Sequence, residues 1–86
     1  MKKKITIVNK VLFAEAILDY FYTKVKGMCS EYAYYELLIE VEKYMNTPSK
    51  NFEEYLELIF NITKKDLVII KKQYKEKLKE IEKFII

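Results

Sequence analysis

Histidine, arginine and tryptophan are absent from this 86-residue chain, and Gly27, Pro48 and Cys29 are each the sole residue of their type. Without histidine the chain lacks the usual general base, the commonest metal ligand and the imidazole half of Ser-His and Cys-His nucleophile pairs. A single cysteine excludes an intrachain disulfide and a cysteine-rich zinc site. One glycine excludes a glycine-rich phosphate loop. Two acidic sets remain as candidates for acid–base chemistry: Glu15 with Asp19 at i, i+4, and Glu53, Glu54 and Glu57. Such pairs act only where a cleft perturbs their ionisation, and short helices offer little room for one. Solvated surface acids are the expectation. Cys29 has no histidine to activate it, although a place near a helix start could lower its pKa; it is assigned a structural role. The chain is therefore expected to be no enzyme, with no catalytic residues, no cofactor and no metal.

What is present supports a folded core. Apolar residues make up 51% of the chain and charged residues 34%, which is too apolar for intrinsic disorder. At this length one domain, residues 1–86, is expected, burying roughly 60–65% of its extended surface. Val11–Tyr22 follows a lysine-rich start, as a signal sequence or membrane span would. It carries Glu15 and Asp19, and its twelve residues fall short of the roughly 20 needed to cross a bilayer. It reads as a buried core helix, so no membrane association and a cytoplasmic location are expected. Lysine to the exclusion of arginine points to an AT-rich genome, such as that of a low-GC bacterium, its phage or a plasmid.

Scarce Gly and Pro, with long Glu/Lys/Leu/Ile runs, predict an all-α chain: a compact four-helix assembly with helices at about 9–26, 31–45, 52–60 and 64–85. Ile5–Val8 forms either a short extended N-terminal arm or the first turn of the first helix, and its β-branched run favours the arm. In the first helix Phe13, Ala14, Ile17, Leu18, Phe21 and Val25 share a side, with Glu15, Asp19, Thr23 and Lys26 opposite and Gly27 as the C-terminal cap. Ser30 caps the second helix. Asn51 with Glu54 would form a capping box for the third, whose stripe is Phe52, Tyr55, Leu56, Ile59 and Phe60. Asn61 ends it, and Thr63 with Asp66 opens the fourth. There Leu67, Ile70, Tyr74, Leu78, Ile81 and Ile85 repeat at three and four residues.

Three features have functional content. The second helix carries a core stripe of Tyr34, Leu37, Leu38, Val41, Tyr44 and Met45, and roughly opposite it a second apolar stripe of Tyr32, Tyr35 and Ile39. The second stripe belongs either to a central helix packed on both sides, or to an exposed patch that docks a protein partner or a second copy of the chain. The charge is also uneven. Residues 1–60 hold eight lysines and nine acids, a charge of −1, whereas residues 61–86 hold eight lysines and four acids, a charge of +4, which together give the net +3. Lys64, Lys65, Lys71, Lys72, Lys75 and Lys79 are candidates for contact with an anionic partner, nucleic acid included. They could equally form a solvated face balanced through Lys72–Glu76, Glu76–Lys79 and Glu80–Lys83 pairs.

Residues 53–70 resemble a helix-turn-helix, with Leu56, Phe60, Ile62, Leu67 and Ile70 at the motif's buried positions, Asn61 at its turn and Thr63 capping the recognition helix. The resemblance implies a DNA-binding regulator. Glu57 departs from the small residue the motif uses there, and Val68 and Ile69 stand at base-facing positions with no Arg, Asn or Gln to read a base edge. In size and composition only, the chain also resembles phage-encoded inhibitors of host systems and bacteriocin immunity proteins of low-GC bacteria. That resemblance implies a small non-catalytic protein that modulates a larger macromolecule by occupying it.

Overall fold

With glycine and proline confined to two positions, the backbone has few places to leave the helix. The computed structural model describes residues 7–85, and the side chains of 9–83. Among the described residues there are four α-helices and no strand: α1 (Ile7–Tyr20), prolonged by a π-helical turn (Phe21–Val25), α2 (Glu31–Asn46), α3 (Lys50–Phe60) and α4 (Lys64–Ile85). The chain is an all-α four-helix assembly, as its periodicity predicts. The first half of the Ile5–Val8 segment lies outside the described residues, and Ile7 and Val8 are helical, the first turn of α1. Their β-branching is a weak preference that the packing of the following turns overrides.

The helix ends follow side-chain chemistry with two corrections. Ser30 caps α2, its Oγ accepting from the Ala33 N–H at 3.1 Å. Asn61 takes the left-handed conformation (φ 57°) and donates its N–H to Glu57 O, while Ile62 N–H donates to Leu56 O, both at 3.1 Å. The α1 terminus differs from expectation. Lys26, not Gly27, is left-handed (φ 63°), and both residues' N–H groups converge on Phe21 O. Gly27 is needed for space: a Cβ there would lie 2.1 Å from Cζ of Phe21. The second correction concerns α3, which leaves extended geometry at Ser49. Asn51 and Glu54 thus lie inside the helix and form no capping box, because the apolar phase sets the face of a helix and not its first residue.

The buried residues of α1 (Phe13, Ala14, Ala16, Ile17 and Leu18) span an arc of about 200° at 100° per residue. That is twice the stripe of a helix with one covered face. Accordingly α1 is the central helix, packed against α4 and α2, while α3 bridges α2 and α4. Leu37 and Val41 from α2, Phe52, Leu56 and Phe60 from α3, Ile62 from the turn, and Leu67 and Ile70 from α4 complete one core. At about 1.5 Å per residue, α4 is roughly 33 Å long and accounts for most of the 37 Å long axis.

Phe13 joins all four helices. Its ring centroid lies 6.1 Å from Tyr44 of α2, 6.2 Å from Phe52 of α3 and 5.0 Å from Tyr74 of α4. Tyr44 and Phe52 stack on each other at 4.5 Å, and Phe21 meets Phe60 edge-on at 5.0 Å. Such contacts add to burial because the positive ring edge meets the negative ring face. Removing a fully buried phenylalanine costs about 3–5 kcal/mol, a large share of the stability of a small domain. Phe13→Ala should lower the denaturant midpoint by more than any single substitution on the outer faces of α2 or α4, a comparison that urea unfolding followed by circular dichroism makes directly.

Candidate interaction faces

On α2 the two apolar stripes separate. Leu37 and Val41 are fully buried, and Tyr34, Leu38, Tyr44 and Met45 pack against the core. On the outer side Tyr32, Tyr35 and Ile39 are 77%, 57% and 55% exposed. Their i, i+3, i+7 spacing lines them up along a little under two turns. Glu31 and Glu42, both exposed, border the stripe, and Glu42 holds Lys10 of α1 at 3.4 Å. Of the two sequence readings, the doubly packed central helix is not α2. That place belongs to α1, whose neighbours cover it on both sides.

At the α3–α4 corner the five apolar positions of the helix-turn-helix pattern, Leu56, Phe60, Ile62, Leu67 and Ile70, are all buried. The three-residue turn Asn61–Thr63 is held by a reciprocal cap. Thr63 N–H donates to Asp66 Oδ2 at 3.0 Å, and Asp66 N–H donates to Thr63 Oγ1 at 3.3 Å. The two base-facing positions, Val68 and Ile69, are 68% and 45% exposed, and Glu57 is exposed as well. Ile59, expected in the core stripe of α3, is also largely exposed, as is its neighbour Leu58. Leu58 points away from the Leu56–Phe60 side by helical phase, a signal that the sequence carried unread.

The six candidate lysines do not share one environment. Lys64 pairs with Glu53 of α3 at 3.9 Å, and Lys71 is half-buried with its Nζ 5.0 Å above the Tyr44 ring. Lys65, Lys72, Lys75 and Lys79 are exposed. Among the described residues, none of the expected pairs Lys72–Glu76, Glu76–Lys79 or Glu80–Lys83 comes within ion-pair distance; the pairs that form are Lys10–Glu42, Glu40–Lys43 and Glu53–Lys64.

Other chemistry is sparse. A groove of about 430 Å³ between α1 and α4 is lined by Asp19, Tyr20, Thr23, Lys24, Glu76 and Glu80, among others. Its mixed charges face open water. Glu15 and Asp19 are both exposed, and Glu53 is engaged with Lys64. Among the described residues no group of three or more His, Cys, Asp or Glu side chains comes together as a metal site. Cys29 donates its thiol to Ser30 O at 3.3 Å, and burial raises its pKa despite a hydrogen bond from Tyr22 that lowers it. The direction is the one expected of a thiol losing water, and not of a thiolate favoured by a helix start. Tyr55 Oη is buried without a hydrogen-bond partner; burial first, then the charges of Glu36 and Glu40, push its ionisation well above the usual phenol range. No helix among the described residues is long and apolar enough to cross a membrane.

Comparison with protein-family models, with curated proteins and with solved structures finds no match to the chain.

One electrostatic lock ties α1 to the start of α4. Tyr20 Oη donates to Asp66 Oδ1 at 2.5 Å. That bond, followed by the Thr63 N–H, lowers the Asp66 pKa below its ordinary 3.8, and the same bond raises that of Tyr20 above 10.0. A carboxyl whose folded pKa is depressed contributes stability that is complete above its unfolded pKa and is lost as the pH falls through the folded one. The thermal midpoint should therefore drop from about pH 5 to about pH 2, and Asp66→Asn should shrink that drop. Thermal melts of the two proteins across this range provide the measurement.

Proposed function

We propose that this chain is a small non-catalytic interaction protein that binds a larger protein through Tyr32, Tyr35 and Ile39 of α2 and modulates it by occupancy. One observation carries the reading: three large side chains with apolar bodies stand exposed in line on the outside of a helix whose other side is the core. Water contact at these positions has a cost that, among the described residues, is offset only by the neighbouring Tyr34 ring beside Tyr35. Tyrosine suits a docking surface, because it offers a large rigid area with two torsions and a hydroxyl that tolerates water before binding. Action by occupancy fits a protein of phage-inhibitor or immunity type, which the chain resembles in size and composition, and fits a cytoplasmic setting with a free thiol.

The alternative of a sequence-specific helix-turn-helix regulator draws on the burial of Leu56, Phe60, Ile62, Leu67 and Ile70 and on the capped turn. Against it stand Val68 and Ile69, whose apolar side chains offer base edges no hydrogen bonds. The homodimer alternative uses the same α2 stripe, and the same variant tests it.

The variant Tyr32→Ala/Tyr35→Ala/Ile39→Ala should keep the thermal midpoint within a few degrees, since exposed substitutions change stability by only about 0.5 kcal/mol each. It should lose the protein that the unaltered chain captures from a nuclease-treated extract of its source cell. A drop in midpoint as large as a core substitution gives would place the stripe in the core and overturn the reading. A mass in solution that rises with concentration for the unaltered chain, and not for the variant, would assign the stripe to self-association.

A further inference from the structure

The lysines of α4 form a continuous track. At 100° per residue, Lys64, Lys65, Lys71, Lys72, Lys75 and Lys79 fall within an arc of about 120°, roughly 22 Å long. Val68 lies at the middle of that arc, with cations on both flanks. Between Lys64 and Lys79 no acid falls inside it: Asp66 sits on the side that meets Tyr20, and Glu76 lies just beyond its edge; Glu82, at the phase of Lys64, follows about one turn past Lys79. One lysine is neutralised, by Glu53, and Lys71 is held over the Tyr44 ring. Lys65, Lys72, Lys75 and Lys79 are exposed, and no ion pair involves them among the described residues. Like charges at i, i+4 repel one another, so this arrangement favours an anion that spans them.

The composition of the face selects the anion. Protein interfaces are anchored by aromatic residues and depleted in lysine, and this face has many lysines and one small apolar residue. Single-stranded nucleic acid is held by stacking on aromatic side chains, and no aromatic residue lies in the arc. Double-stranded RNA has a major groove too deep and narrow for side chains to read, whereas the major groove of B-form DNA admits an α-helix with phosphates along both rims. Within the arc there is no arginine, asparagine or glutamine to read bases. We infer that α4 is a docking face for B-form duplex DNA that contacts the phosphate backbone through Lys65, Lys72, Lys75 and Lys79 and does not discriminate sequence. This face is separate from the tyrosine stripe of α2 and stands on its own observations.

Fluorescence anisotropy with the full chain and two labelled duplexes of unrelated sequence tests the inference. Both should bind with similar affinity at about 50 mM salt, and affinity should fall by 200 mM with a log–log slope between about −3.5 and −5.5, near −0.9 per phosphate neutralised. Lys72→Glu/Lys75→Glu should weaken binding at least tenfold while leaving the circular dichroism spectrum unchanged. Lys24→Glu/Lys50→Glu, which changes the net charge equally away from the arc, should leave most of the affinity. Four results would overturn it: no binding at low salt, a preference above about tenfold for one duplex, equal or tighter binding of the matching RNA duplex or single strand, or competition by polyglutamate as effective as DNA at matched charge. The last result would assign the track to an acidic protein.

Discussion

The structure depends on a single aromatic junction at the centre of the bundle. Phe13 reaches Tyr44, Phe52 and Tyr74, one ring from each of the other helices, so the relative placement of α2, α3 and α4 is referred to one side chain on α1. In a chain this small, with no disulfide and one short core, few other contacts join more than two elements. The consequence is that α1 buries about 200° of its surface, leaving only the Glu15–Asp19 side in water, and the other three helices each retain a wider outer side. What those outer sides carry is therefore available for function without being required for folding.

The eight tyrosines record this division. Tyr20, Tyr34, Tyr44, Tyr55 and Tyr74 pack against the core, and Tyr22, Tyr32 and Tyr35 are exposed. The buried set lends ring faces and edges to the junction, and in two cases a further contact: Tyr44 holds Lys71 above its ring, and Tyr20 donates to Asp66. The exposed pair on α2 has no comparable partner beyond the Tyr34–Tyr35 ring contact at 5.9 Å. One residue type thus serves cohesion on one side of α2 and stands in water on the other. The lysines divide in the same way, with Lys64 and Lys71 tethered and the rest of the α4 track open to solvent.

Much of this was legible in the sequence. Helix number and order follow from apolar spacing and from the isolation of Gly27 and Pro48, and the caps at Ser30, Asn61 and Thr63 follow from side chains that bond the backbone locally. Both outer faces could be located by helical phase. What the sequence left open was which helix is central. The two stripes of α2 suit a helix packed on both sides, and only the convergence of three helices on Phe13 decides that α1 takes the central place and that Tyr32, Tyr35 and Ile39 face water. The left-handed Lys26, the close approach of Gly27 to Phe21, and the burial that raises the Cys29 pKa depend on three-dimensional neighbours that spacing does not reveal.

The central claim is that the outer stripe of α2 is free in the folded monomer while the aromatic junction is closed. Hydroxyl-radical footprinting of the native monomer, read residue by residue by mass spectrometry, measures this directly. The account predicts rapid modification of Tyr32 and Tyr35 and protection of Phe13 and Phe52 until the chain unfolds. Protection of Tyr32 and Tyr35 equal to that of Phe13 in the monomer would contradict it.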